Sequence, residues 1–134
     1  MEVSPLPYSA LIIDDSAHMR ILLLKLLQRN GFTSVDLAVN GADGLQHFKS
    51  QKPDVVFLDA IMPEMDGLTA LQEIKKLDAQ TIVVMTTSLS EKEKVLTFKE
   101  AGADYYLLKP FEDKKLVDTL QKIVAMLDQR AKKE

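Results

Sequence analysis

The sequence predicts an α/β fold in which a parallel five-stranded sheet is covered by helices on both faces. Three observations support this prediction: short apolar runs alternate with longer amphipathic segments, the apolar runs are rich in β-branched residues, and glycine, proline or polar turns separate them. Strands that alternate with helices are joined by right-handed crossovers, and a sheet covered on both faces needs uniformly apolar strands. The 134 residues are enough for one such domain.

The first half of the chain contains three predicted strands and two predicted helices. In chain order they are strand one at 10–13, helix one at 16–30, strand two at 34–39, helix two at 42–50 and strand three at 55–58. Gly31 ends helix one, because glycine readily adopts the backbone conformation that follows a helix. Leu45 and Phe48 have the spacing of one helix face, and helix two closes before Pro53.

The second half continues the alternation after a turn-forming loop at 61–67. A third helix follows this loop, strand four lies at 81–85, helix four ends at Lys99, strand five lies at 105–108 and a final helix spans about 112–129. Ser90 is a suitable N-cap for helix four, and Gly102 is its stop. Apolar residues at three-and-four spacing define the buried face of the final helix. The predicted domain is 8–129, with tails at 1–7 and 130–134.

The composition excludes several classes of function. Without cysteine there is no disulfide, thiolate metal site or cysteine nucleophile, and two distant histidines argue against a zinc cluster. Strictly apolar runs such as 21–24 are far shorter than the roughly 20 residues of a membrane-spanning helix. The N-terminus also lacks the pattern of a secretory signal, so we expect a cytoplasmic protein. A net charge of −3 gives no general attraction to nucleic acid. We therefore expect neither nucleic acid nor a membrane to be a direct partner.

Charged and hydroxyl residues follow the predicted strands at one edge of the sheet. They are Asp14 and Asp15 after strand one, Asp59 after strand three, Thr87 after strand four and Lys109 after strand five. Ligands of such sheets bind beyond the carboxyl ends of the strands. Clustered carboxylates repel one another unless a cation lies among them, and oxygen ligands suit Mg²⁺. The pattern therefore predicts a metal-dependent phosphoryl-transfer site.

Within this set, Asp59 is the predicted nucleophile, because carboxylates can form acyl-phosphates and Asp59 ends a fully apolar strand before a loop. Each residue also has a purely structural interpretation. Asp59 can simply end a strand, and Asp14 or Asp15 can be the N-cap of helix one. Lys109 before Pro110 can be a surface turn, or the proline can direct Lys109 inward, for example through a cis peptide bond. Strand periodicity does not determine whether the hydroxyl facing the site comes from Thr87 or from a neighbour.

Taken together, these residues resemble the receiver domain of two-component response regulators, particularly the single-domain chemotaxis type. The resemblance covers about residues 8–129. It rests on the acidic pair 14–15, the Val-Val-Phe-Leu-Asp run ending at Asp59, the Met-Pro-x-Met-Asp-Gly loop at 62–67, Thr87, Ala-Gly-Ala at 101–103 and Lys-Pro-Phe at 109–111. All occur in the family's order and spacing.

The resemblance implies a flavodoxin-like fold with strand order 2-1-3-4-5 and a phosphoacceptor rather than an enzyme acting on other substrates. Asp59 would accept the phosphoryl group from a partner histidine kinase or phosphotransfer protein, and Lys109 would pair with the phosphoryl oxygens. The implied ligands of Mg²⁺, for which Mn²⁺ can substitute, are Asp14, Asp15, Asp59 and the backbone carbonyl of Ile61. Thr87 and Tyr106 would form a switch that signals to a downstream target protein through helix four, strand five and helix five.

Four alternatives remain at this point. A flavin-binding electron carrier of the same fold would need glycine and hydroxyl residues where the acidic pair stands. A phosphatase of the haloacid dehalogenase type would carry an Asp-x-Asp motif on strand one, whereas Asp14 and Asp15 are adjacent. A degenerate receiver that acts only as a binding module would not need the complete acid and lysine set. A receiver cut from a longer regulator with a DNA-binding or enzymatic output domain is the alternative closest to the main prediction.

Overall fold

The computed structural model describes residues 4–88 and 93–133 as a single sheet with helices on both faces. All strand pairs are parallel, and their order is β2-β1-β3-β4-β5. The elements in chain order are β1 (Leu6–Ile13), α1 (Ala17–Arg29), β2 (Phe32–Ala38), α2 (Gly41–Gln51), β3 (Val55–Asp59), α3 (Gly67–Leu77), β4 (Ile82–Thr87), α4 (Val95–Glu100), β5 (Tyr105–Leu108) and α5 (Asp113–Lys133). The predicted doubly wound fold and strand order are confirmed.

The strands are apolar throughout because each contributes side chains to two separate cores. In β1, Ala10 and Ile12 pack under α1 and α5, whereas Leu11 and Ile13 pack under α2, α3 and α4. Both cores consist of aliphatic side chains and phenylalanines that are almost fully buried. Removing this apolar surface from water stabilises the domain, and it fixes the sheet as a rigid support for the loops at its edges.

The first strand and the last helix are longer than the sequence predicts. Strand β1 begins at Leu6 rather than at 10, because Leu6 pairs with Phe32 and its N–H donates a 2.8 Å hydrogen bond to the Gly31 carbonyl. Helix α5 continues to Lys133, and Arg130 donates a 2.7 Å hydrogen bond from Nη1 to the Gln80 carbonyl. These contacts join segments distant in sequence, so local apolar periodicity does not reveal them. The predicted N-cap Ser90 lies outside the described residues.

Among the residues described, no helix is both long enough and apolar enough to cross a bilayer.

Candidate functional site

The carboxyl ends of four adjacent strands bring the predicted site residues together. Asp59 is the last residue of β3 and pairs with Thr86, and Thr87 ends β4 beside Leu108. The Lys109 N–H donates a 2.7 Å hydrogen bond to the Thr87 carbonyl, which places the lysine directly after β5 at the same edge. Adjacent parallel strands end at the same edge of the sheet, so they bring together residues that are far apart in the sequence, such as Asp14 and Lys109.

Lys109 forms the centre of the charge arrangement. Its Nζ lies 3.0 Å from Asp14 Oδ2 and 3.1 Å from Asp59 Oδ1, and both carboxylates are buried. The Lys109–Pro110 peptide bond is cis, as considered from the sequence. The contacts with Asp14 and Asp59 show that the half-buried Lys109 side chain is directed into the site.

The acidic pair at 14–15 does not cap helix α1. Ser16 is the N-cap, and its side chain accepts a hydrogen bond from the Met19 N–H. The Asp14 carboxylate instead accepts from the Ser16 N–H through Oδ1 and from Lys109 through Oδ2, while Asp15 is exposed. The capping interpretation of these residues is therefore wrong, and both carboxylates are available to the site.

Three carboxylates can hold a metal ion. One oxygen each from Asp14, Asp15 and Asp59 lies within 4.8 Å of the others. Two of the three are buried, which favours binding of a cation to relieve their mutual repulsion. A ligand set made only of oxygens fits a hard divalent cation such as Mg²⁺ better than a softer metal. The Ile61 N–H contacts Asp59 Oδ1 at 3.3 Å, whereas the role of the Ile61 carbonyl as a ligand stays a prediction.

A cavity of about 200 Å³ opens beside Asp59. Its lining residues are Asp59, Ala60, Ile61, Thr87, Ser88 and Lys109. Within the described part of the chain, Thr87 Oγ1 is buried and has no hydrogen-bond partner. A buried hydroxyl without a partner is costly, so this atom is suited to donate to an acceptor that enters the cavity. The cavity thus has a carboxylate, an ammonium group and a free hydroxyl around one space.

The surroundings of the site raise the pKa of both Asp59 and Lys109. Burial and the nearby charge of Asp14 raise the pKa of Asp59 from its ordinary value of 3.8 to about 6, although Lys109 acts against this. Burial by itself would lower the pKa of Lys109, but the hydrogen bond to Asp14 and the charges of both carboxylates outweigh it and raise that pKa. The lysine therefore remains a cation, while the carboxylates are held under repulsion that a metal ion would relieve.

The loop after β3 closes against the strand because residue 67 has no side chain. A Cβ atom at Gly67 would lie 2.5 Å from the Asp59 carbonyl oxygen and 2.7 Å from the Ala60 Cα. The Gly67 N–H donates a 3.1 Å hydrogen bond to the Ala60 carbonyl. The glycine of the predicted loop motif thus lets α3 begin directly behind Asp59.

Tyr106 lies apart from this cavity. It is partly buried, and its hydroxyl donates a 3.1 Å hydrogen bond to the Val95 carbonyl at the start of α4. Burial and the charge of Asp104 raise its pKa, which keeps the hydroxyl protonated as a donor. The side chain lines a second cavity of about 350 Å³ between β5 and α5. The structure therefore joins Tyr106 to α4, next to the strand that carries Thr87, and not to the acidic site.

Comparison with known proteins identifies the class to which this fold and site belong. The profile of the response regulator receiver domain matches residues 10–121, and the chain belongs to this family. The chemotaxis protein CheY of Bacillus subtilis is 40% identical over 112 residues, which are 84% of this chain and 93% of that protein. CheY of Halobacterium salinarum is 38% identical over 114 residues, 85% of this chain and 94% of that protein.

Solved structures give the same assignment. A response regulator receiver domain protein from Clostridium thermocellum has a TM-score of 0.84 at 27% identity. The match covers 91% of this chain and 98% of the Clostridium chain. NtrX from Brucella abortus has a TM-score of 0.86 at 25% identity, and its matching part covers 95% of this chain but only 29% of NtrX. The receiver fold therefore occurs among these similar proteins both alone and as a part of a longer chain.

Proposed function

We propose that this chain is the phosphoacceptor of a two-component phosphorelay and that Asp59 receives the phosphoryl group. The observation that carries the proposal is the cavity beside Asp59, which a half-buried ammonium group and a hydroxyl without a partner share. A phosphoryl group has oxygens that can accept from both donors, and the Asp59 carboxylate, which lines the same cavity, is a nucleophile that can form an acyl-phosphate.

In the proposed reaction an Asp59 carboxylate oxygen attacks the phosphorus of a phosphohistidine on a histidine kinase or phosphotransfer protein. An O–P bond forms, the P–N bond breaks, and the electron pair returns to the imidazole nitrogen, which takes up a proton from solvent. Lys109 donates to one phosphoryl oxygen and stabilises the negative charge there. Thr87 donates its hydroxyl to another. Water later hydrolyses the acyl-phosphate, which releases inorganic phosphate and returns the Asp59 carboxylate.

Asp14, Asp15, Asp59 and the Ile61 carbonyl would hold Mg²⁺ or Mn²⁺, which when bound neutralises charge on the phosphoryl oxygens. The chain's own contribution is to keep the three carboxylates close together before the ion arrives. The Asp14 carboxylate is held by hydrogen bonds from the Ser16 N–H and from Lys109, and Asp59 is held by its place at the end of β3. This arrangement avoids the cost of ordering flexible ligands during binding.

The signal would leave the site through α4, β5 and α5. When Thr87 donates to the phosphoryl group, the end of β4 shifts toward Asp59, and Tyr106 loses its contact with Val95 and moves inward. The surface would have two alternative packing arrangements, and phosphorylation would shift the equilibrium toward one of them. A downstream target protein would bind that arrangement. We place this relay in the cytoplasm. A receiver within a longer regulator is the second candidate, favoured by the similarity to one part of NtrX.

Mass spectrometry of the intact protein tests the acceptor. With acetyl phosphate and Mg²⁺, we expect one added phosphoryl group, which Asp59→Asn abolishes because the amide cannot form the acyl-phosphate. Asp118→Asn, an exposed residue of α5, is the matched control and is expected to retain the full yield. An unchanged yield in Asp59→Asn would refute the assignment.

NMR tests the switch. On formation of the beryllofluoride complex, we expect amide shifts in β5 and α4 as well as at the metal site. Thr87→Val lacks the hydroxyl but keeps the shape of the side chain, so the site shifts should remain while the shifts near Tyr106 and Val95 are reduced by at least about half. Shifts confined to the acidic site in the parent protein would contradict the proposed route.

A further inference from the structure

Arg20 contacts the acidic site from outside the motifs that define it. The residue lies near the start of α1, and its Nη1 donates a 2.8 Å hydrogen bond to the backbone carbonyl of Asp14. The side chain therefore spans the β1–α1 loop and holds the residue that carries one of the three clustered carboxylates. Its guanidinium is partly buried beside this loop.

This contact completes the fixation of Asp14. The Asp14 N–H donates to the Ala38 carbonyl at 3.2 Å, and the two carboxylate oxygens accept from the Ser16 N–H and from Lys109. The carbonyl is the remaining polar group, and Arg20 is its donor. The peptide held by this bond leads directly into Asp15, whose side chain is exposed.

The charge of Arg20 and its hydrogen bond predict opposite effects on a bound cation. A guanidinium near the carboxylates repels a divalent ion, so if only charge mattered, its removal would strengthen Mg²⁺ binding. If the hydrogen bond orients the ligands, removal would weaken it, since partners that orient metal ligands often change affinity by roughly 10- to 100-fold. We infer that the second effect dominates and that Arg20 is a positioning residue for the Asp14–Asp15 ligand pair. This inference rests on the proposed function, which assigns Mg²⁺ to that pair.

Isothermal titration with Mg²⁺ separates these effects. We expect Arg20→Gln to weaken Mg²⁺ binding about tenfold. We expect Arg20→Lys, which keeps a donor and the charge, to restore most of that affinity. Lys25→Gln removes the same charge from an exposed position on α1, roughly 7.5 Å further along the helix, and should leave the affinity unchanged or slightly higher.

The titrations are made well below the melting temperatures of all variants, so that a change in stability does not appear as a change in affinity. Arg20→Met, which keeps the apolar part of the side chain and has no hydrogen-bond donor, is titrated beside Arg20→Gln, whose shorter side chain still carries an amide N–H. Equal or tighter binding in Arg20→Met would overturn the role of Arg20 while leaving the metal site intact. A parent protein that does not bind Mg²⁺ would overturn the metal site, and the role of Arg20 with it.

Discussion

Asp59→Asn is expected to stabilise the metal-free protein by about 2 kcal/mol at pH 7.5, although it removes the proposed phosphoacceptor. The Asp59 carboxylate is buried beside Asp14, and its pKa is raised from 3.8 to about 6. A difference of this size corresponds to about 3 kcal/mol of unfavourable free energy for the ionised form in the folded state. The expected gain is smaller because asparagine loses part of the favourable contact with Lys109.

The pH dependence has a definite sign. Because the pKa in the folded protein lies above that of the unfolded chain, the folded state retains the proton to higher pH. Below about pH 4 Asp59 is protonated in both the folded and the unfolded state, so its ionisation does not reduce stability. As the pH rises to about 6 the folded protein loses stability, and above this pH the loss stays constant. The difference between Asp59→Asn and the parent should grow over this interval and then become constant.

Urea unfolding of both proteins in the presence of a chelator, at pH values from 4 to 8, measures this difference. Asp118→Asn serves as the control for loss of one acidic charge, because Asp118 is exposed on α5. Mg²⁺ should reduce the advantage of Asp59→Asn, since the ion stabilises the parent by binding to its folded state. A variant that is less stable than the parent at every pH would show that the Asp59 carboxylate is not under repulsion.

The fold follows from the sequence wherever local pattern and tertiary packing agree. Strand β3 is a continuous apolar run because both of its faces are buried, and the pattern at 55–58 shows this directly. Strand β1 is different, because its first residues alternate in exposure and its start depends on pairing with Phe32. After Leu127 the end of α5 has no large apolar residue to mark it, and Lys132 and Lys133 in its last turn interact favourably with the helix dipole instead.

The candidate site follows from the sequence only in part. Strand ends and the rule that parallel strands share an edge suffice to gather Asp59, Thr87 and Lys109. They do not show what Asp14 does, because an acidic residue before a helix is also a good cap, and only the bond from Met19 to Ser16 excludes that role. The contact of Arg20 with a backbone carbonyl has no sequence signal beyond a cation about one turn into helix α1. Every residue has a backbone carbonyl, so the pattern of side chains in a sequence does not indicate which carbonyl accepts a hydrogen bond.

Lys109→Met is expected to slow phosphorylation of the protein by acetyl phosphate and Mg²⁺ about 100-fold. The ammonium group lies 3.0 Å from Asp14 and 3.1 Å from Asp59 and lines the same cavity as the carboxylate that attacks. Methionine fills a similar volume but cannot donate to a phosphoryl oxygen, and loss of one well-placed donor to a developing charge commonly costs a factor of roughly 10² to 10³. The rate is measured by intact mass at fixed Mg²⁺.

The same substitution should also destabilise the metal-free protein by about 2 kcal/mol, because two buried carboxylates then lack their shared cation. Saturating Mg²⁺ should restore more stability to Lys109→Met than it adds to the parent, since the ion replaces the missing charge. Lys76→Met, with a side chain that is 73% exposed on α3, controls for the loss of one lysine and should change neither the rate nor the stability by a measurable amount. If Lys109→Met were phosphorylated at the parent rate while Mg²⁺ still bound, the ammonium group would be only a structural partner of Asp14 and Asp59, and charge stabilisation in the cavity would have to come from the metal ion and Thr87.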